Sequence, residues 1–185
     1  MPLLNTVAVT NMNSMFGQCF SLKSIPLFNT AAVTNMNFML FGCSAIHSVP
    51  LFNTALVTNM AGMFQNCSSL QTVPLLNTAA VTTTNAMFSN CPALQAVPAL
   101  VTTAVTSSAN FTNMFATCPN LARIEAKNFR FTFSVASCKL SSTALNEIYT
   151  NLPTVTGQTI TVTGNFGTTG DNPAIATAKG WTVTG

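Results

Sequence analysis

The sequence predicts an α/β fold: a solenoid of 24-residue coils whose short strands align into a parallel sheet, closed by an α/β C-terminal cap. Three observations carry that expectation. A block reading PLLNTVAVTNMNSMFGQCFSLKSI begins at Pro2 and returns at Pro26, Pro50 and Pro74, always at the same interval, with a lengthened copy at Pro98. A fixed period of this size marks stacked units that bury a core only against their neighbours. Apolar residues keep fixed places in each copy, as Cys19, Leu22 and Ile25 return as Cys43, Ile46 and Val49 and then as Cys67, Leu70 and Val73. After Arg130 the rhythm stops and longer helix-like and strand-like segments take over.

Within a coil, the segment from Leu22 to Ile25 reads as a strand, and the following Pro26, Pro50, Pro74 or Pro98, lacking an N–H, is expected to end it. Asn5-Thr6 and its copies read as the next corner, because Asn and Thr bond backbone groups in turns. Val9, Met12, Met15 and Phe16, spaced three, three and one, predict a short helical or 3₁₀ turn. Strands stacked about 4.7 to 4.9 Å apart convert each repeat position into a column of equivalent side chains. In the fifth copy Cys118 follows Cys91 at a longer interval than the earlier cysteines keep, so an insertion around Ser107 to Thr112 is expected to bulge outward as a loop.

Five of the six cysteines share one repeat position, which predicts a column of buried free thiols rather than a disulfide framework or a zinc site, and a reducing compartment during folding. The sequon Asn66-Cys67-Ser68 runs through that column and is a poor glycosylation site. Asn110-Phe111-Thr112, in the insertion, is the more accessible one.

The cap begins with FRFTFSV, read as a strand, followed by a helix in SSTALNEIYTNL. There Leu145, Ile148, Tyr149 and Leu152 fall on one face, with Ser141 or Ser142 as N-cap and Pro153 closing. QTITVTG reads as a strand, Asn172-Pro173 as a helix start, Lys179-Gly180 as its stop and WTVTG as the last strand. These units are expected on the same sheet as the coils. The organisation is thus residues 1–125 as about five coils and 126–185 as capping units of the same domain. The amino end carries no comparable cap, and its open coil is expected to be covered by another chain or a missing segment.

Composition narrows the function. The chain has 185 residues, 48% of them apolar and only 5% charged, where about 25% charged is usual. Disorder is excluded by that apolar content. The net charge of +3, with Lys23 the sole Lys, Arg, Asp or Glu before Arg123, argues against nucleic-acid binding. Membrane insertion is not expected, since no apolar run approaches the roughly 18 residues a span requires. The start, MPLLNTVAVTNMNSM, does not resemble a signal peptide, so export is expected to use another route or a missing segment.

The unit V-T-N-M-x-x-M-F-x-x-C-x-x-L-x-x-V-P, read from Val57 to Pro74, resembles the repeats of BspA-like leucine-rich-repeat surface proteins over about residues 2 to 125. The tail from Lys139, through LSSTALNEIYTNLPTVTGQTITVTGN to AIATAKGWTVTG, is similar to the terminal segment of such repeats in bacteriophage and prophage tail proteins. The resemblance implies a leucine-rich-repeat-like solenoid acting as a virion or cell-surface interaction module. It transfers no receptor and no binding residue. Leu40-Phe41 in the second copy and Thr83-Thr84 in the fourth depart from the motif.

No catalytic constellation emerges. His47 is the only histidine, and three strand spacings put it roughly 14 Å from Glu125, far beyond the contact that proton transfer needs. Gly164, Gly167 and Gly170 read as turn chemistry, because no phosphate-loop Lys-Ser/Thr follows them. No cofactor and no metal are expected. Binding is, on the exposed strand face: the column Lys23, His47, Gln71, Gln95, with Ser21 and Ser69 beside it and Arg123 and Glu125 further along. A polar strip of this kind suits a host-surface glycan or protein. The localisation that follows is a phage tail or fibre assembled in the host cytoplasm, or a bacterial cell surface. Contact with other virion subunits or with copies of itself is expected through the first coil, a purely structural fibre or decoration role is the alternative, and ice binding through Thr6, Thr30, Thr54 and Thr78 is a remote third.

Overall fold

In the computed structural model, which describes residues 4–185, each of the first four coils turns its first corner on an asparagine, and threonines beside those corners staple successive coils together. Pro2, where the first repeat begins, lies outside the described residues. The Oδ1 atoms of Asn5, Asn29, Asn53 and Asn77 accept the backbone N–H two residues on, at 3.1–3.2 Å. The threonine faces inward instead. Oγ1 of Thr6, Thr30 and Thr54 donates to the carbonyl oxygens of Asn29, Asn53 and Asn77 in the following coil at 2.8–2.9 Å. These threonines are at most 4% exposed, so their column offers no face to ice and that remote alternative falls.

The Met-Phe segment forms no 3₁₀ helix in the first four coils. Its donors alternate between two destinations. In the second coil Met36, Phe38, Leu40 and Gly42 donate to Asn59, Ala61, Met63 and Gln65 of the next coil at 2.8–3.0 Å, while Met39, Phe41 and Cys43 donate three residues back at 3.0–3.1 Å. The i→i−3 bonds account for the spacing of three seen in the sequence. The helix does not propagate because every fourth residue turns left-handed, Phe38 at φ 53° and Gly42 at φ 72° in this coil, with Gly62, Asn66, Ala86 and Asn90 repeating the pattern. A 3₁₀ turn does occur at Ser108–Phe111, inside the insertion of the fifth copy.

Strands are shorter than expected. Across the first four coils the described residues show single bridges, Asn11 to Asn35 to Asn59 to Thr83, and Thr72 to Ala96. Within the repeats, full strands pair only where β1 (Ala96–Val101) meets β2 (Arg123–Lys127) in parallel. Pro26, Pro50 and Pro74 each remove the next ladder donor, whereas Glu125 stands at the same repeat position in β2 and supplies one. Pro98 does not end β1, contrary to expectation. The register slips by one residue between Val97 and Leu100, a bulge that absorbs the missing N–H.

Inside, repeat positions become columns. Phe64, Phe88 and Phe115 stack face to face, with centroids 5.5 and 6.0 Å apart. Leu40 fills the equivalent place in the second coil, and the displaced Phe41 ring lies outside against the edge of Phe38. Thr84 replaces the methionine of the Met12, Met36, Met60 column, is 1% exposed, and donates its hydroxyl to the Asn110 carbonyl at 3.4 Å. The buried side chains make one continuous cluster from Met12 to Trp181, each large one worth about 1.5–3 kcal/mol of burial. At the first coil the same positions open: Leu4 is 57% exposed where Phe28 is 6%.

The C-terminal units form a second sheet rather than extending the first. β3 (Phe133–Ser134), β4 (Gln158–Thr161) and β5 (Trp181–Thr184) are parallel in the order β3-β4-β5. Helix α1 (Ser142–Asn151) starts at Ser141, whose side chain accepts the Ala144 N–H, and buries Leu145, Ile148 and Tyr149. Helix α2 (Ala174–Thr177) is one turn long; Pro173 before it is already in helical conformation, as expected of a proline at a helix start, and the Asn172 carbonyl accepts the Ile175 N–H at 3.2 Å. Lys179 leaves its own helix and donates Nζ to the carbonyls of Tyr149, Thr150 and Leu152, closing the C-terminus of α1. Gly180 sits at φ 85°, where a Cβ would meet the Val155 carbonyl oxygen.

Candidate ligand-binding face

The predicted strip divides. Backbone bonds carry its middle from coil to coil: Gln71 N–H to the His47 carbonyl at 3.0 Å, Gln95 N–H to Gln71 at 3.1 Å, and Ala122 N–H to Gln95 at 2.8 Å. Those bonds hold successive side chains on one exposed column, and His47, Gln71 and Gln95 are all exposed. Gln71 and Gln95, with Ala93, Asn120, Ala122 and Lys139, line an open depression of about 450 Å³.

Other members go elsewhere. Ser21 is exposed but lines a separate hollow on the first coil with Gln18, Cys19, Phe20 and Leu22. Lys23 is exposed and outside the depression, and Ser69 is half-buried. Arg123 makes a two-pronged contact with Glu147 of α1, Nη2 to Oε1 at 2.8 Å and Nε to Oε2 at 3.2 Å. That guanidinium holds the Glu147 carboxyl below its ordinary range, and the carboxylate raises the Arg123 value in turn. Glu125 pairs with Lys127 at 2.8 Å. Arg123 therefore ties β2 to α1, while the Glu125 pair stays within β2, beside a small hollow of about 230 Å³ that Arg123 and Glu125 share with Thr72, Val73 and Pro98.

Lys139 was missed. It reaches the depression because its N–H donates to the Leu121 carbonyl at 2.8 Å, laying the chain after the last coil along the column. No repeat position announces it, since the repeat rhythm has already ended. The depression combines amide side chains with one cation, which suits a neutral or mildly acidic polar ligand.

The cysteine column is a structural neighbour of this face, not part of it. The Sγ–H groups of Cys43, Cys67, Cys91 and Cys118 donate to carbonyls of the preceding coil at 3.0–3.1 Å, at Phe16, Leu40, Phe64 and Phe88. Burial pushes the Cys43 and Cys118 thiols up to about 11 and Cys67 to about 12. Cys19 is exposed, so the expected buried column begins only at the second coil. Asn66 of the sequon in this column is half-buried and accepts a side-chain bond from Asn90 at 2.9 Å. Among the described residues no three His, Cys, Asp or Glu side chains converge as metal ligands, and no helix is long and apolar enough to cross a membrane.

Residues 3–101, more than half of the chain, match the family described as "Mycoplasma protein of unknown function, DUF285". The chain belongs to the DUF285 family. The DUF285 match covers the regular coils, most of the residues that carry the likeness to BspA-like surface repeats, and stops before the insertion, β2 and the C-terminal sheet. No curated protein and no solved structure matches the chain.

Proposed function

We propose that this DUF285 chain is a non-enzymatic recognition protein: a leucine-rich-repeat-like solenoid that contacts a host-surface glycan or protein through the Gln71–Gln95 column, from a virion tail or fibre or from a bacterial surface. The observation that carries the reading is the open depression itself, where amides from three successive coils and Lys139 converge without an ion pair among them. The likeness of the C-terminal tail to phage tail proteins supports the location. Replacing His47, Gln71 and Gln95 together by Ala tests it. Binding to host cells should fall by about tenfold, the loss of one or two polar contacts, with an unchanged melting temperature. Undiminished binding rejects the column as the contact.

A structural reading is favoured by a different observation. Leu27, Leu51 and Leu75 form an exposed column at 60–64% exposure along one edge of the repeats. An uninterrupted apolar stripe with so few charges nearby suits lateral packing against another copy. Contact through the opened first coil, at Leu4 and Met15, belongs with that reading.

A further inference from the structure

A second open depression, larger than the one on the predicted face, lies away from it. It has a volume of about 810 Å³, within the range of roughly 300–1,000 Å³ usual for small-ligand sites. One wall is the insertion of the fifth copy, through Ser107, Ser108, Thr112 and Asn113. The other is the β3–β4 edge, through Phe131, Thr132, Ser134, Gln158 and Thr161. From these features we infer that this groove is a binding site for a neutral oligosaccharide.

Three observations point to that ligand class, and a fourth to a built groove. First, the lining contains no Asp, Glu, Lys, Arg or His. A phosphate, a sulfated sugar or a charged peptide would find no counter-charge there, and transferring a charge to such a wall is unfavourable. Second, hydroxyls and amides face each other across the groove, the set that sugar hydroxyls match as both donors and acceptors. The Gln158 amide is oriented: its Oε1 accepts from the Thr132 N–H at 2.7 Å and from the Thr132 hydroxyl at 3.1 Å. An N–H can only donate, so Oε1 must face Thr132, leaving the Gln158 Nε2 hydrogens to donate elsewhere. Third, the half-buried Phe131 ring supplies the apolar surface on which the C–H face of a pyranose can rest.

The fourth observation concerns why the groove exists. The first four coils run without an insertion, and the added residues of the fifth are what raise the Ser107–Asn113 wall. The wall is anchored from below. Phe111, which follows the insertion at the repeat position of Met12, Met36, Met60 and Thr84, is 1% exposed and meets Phe129 and Phe133 edge to face at 4.7 and 5.8 Å, so the end of the insertion and the β3 edge rest on one aromatic floor. A groove whose walls are pinned in this way loses little entropy when it binds. The site shares no residue with the Gln71–Gln95 column, so it stands independently of the function proposed above.

The test uses the full chain and a panel of neutral oligosaccharides, maltohexaose, cellohexaose, laminarihexaose and chitohexaose, with heparin fragments as the charged comparison, followed by calorimetry and ligand-observed NMR. The expected result is saturable binding of at least one neutral sugar that survives about 0.5 M salt, where charge-driven contacts are screened within a few ångströms. Phe131→Ala and Asn113→Ala, on opposite walls, should each weaken it by about fivefold to tenfold. Asn113 is exposed just beyond the insertion, at the left-handed repeat position that Ala86 holds in the coil before (φ 58° and 52°), so Asn113→Ala keeps the test open should Phe131→Ala disturb the fold. A sugar that is lost in the Gln71→Ala/Gln95→Ala variant while both wall variants keep it sits on the repeat column and overturns the inference. Failure of every neutral sugar to bind, preference for heparin fragments, or binding that survives both wall variants overturns the inference. Loss of host-cell binding in the Gln71→Ala/Gln95→Ala variant alone would bear only on the repeat column.

Discussion

Cys67 shows how one side chain serves two coils. Its thiol is fully buried, donates to the Leu40 carbonyl at 3.1 Å, and is held neutral far above the ordinary value of 9.0 by the loss of water around it. Two outcomes follow. In the native protein at pH 8, iodoacetamide should label Cys19 alone, and mass spectrometry should find the other five thiols modified only after denaturation; native labelling of Cys67 would refute the buried column. Stability should also depend on alkali. The folded thiols titrate above the unfolded ones, so their contribution is complete below pH 9.0 and is lost as pH rises through about 11, the folded value of Cys43 and Cys118. Denaturant midpoints measured from pH 8 to 11 should therefore fall only above about pH 9. The column itself was legible from spacing alone, because equivalent residues of stacked coils must align. The exposure of Cys19 was not, since burial depends on a neighbour on either side, and the carbonyl partner was not, because a carbonyl's direction leaves no trace in residue type.

At the scale of the element, the sequence misled where two structures share one spacing. Met12, Met15 and Phe16 fit a 3₁₀ turn, and the i→i−3 bonds are present, yet the intervening donors go to carbonyls of the next coil. A local pattern cannot reveal a partner in another coil. The threonines make the same point: Asn-Thr reads as a corner, but only the asparagine bonds locally, while Thr54 reaches Asn77 at 2.9 Å. Thr54→Val keeps the shape and removes that donor, so it should cost about 1–3 kcal/mol by leaving the Asn77 carbonyl short of a partner. Thr58→Val, at an exposed position with a 3.2 Å bond to Thr34, should cost less than about 1 kcal/mol. Equal losses in chemical denaturation would show that burial does not set the value of these staples. The C-terminal helix α1 was read almost to the residue because its cap, apolar face and terminating proline are all local signals. The groove went unread because its two walls come from segments well separated in the sequence that only the fold brings together.

Across the whole molecule, low charge and exposed leucines act in the same direction. With 5% charged residues there is little electrostatic repulsion to hold copies apart, and Leu27, Leu51 and Leu75 present a stripe for them to share. Light scattering of the purified chain should show association that Leu51→Asp reduces, whereas a monomer at all concentrations would remove the lateral-packing reading. Leu51 is 60% exposed, so the added charge should leave the fold itself intact.

The alternating ladder of the Met-Phe segment has a mechanical consequence. Each boundary between coils is crossed by a comparable set of bonds, four of them running forward from Met12, Ser14, Phe16 and Gln18 and four more from Met36, Phe38, Leu40 and Gly42. Tension applied along the stack meets them one boundary at a time, so the chain should yield like a zip rather than rupture in one event. Each coil released adds one repeat of chain, roughly 80 Å of contour at full extension. A protein pulled between a surface and a moving particle would then let out length in even steps while the remaining coils keep their shape.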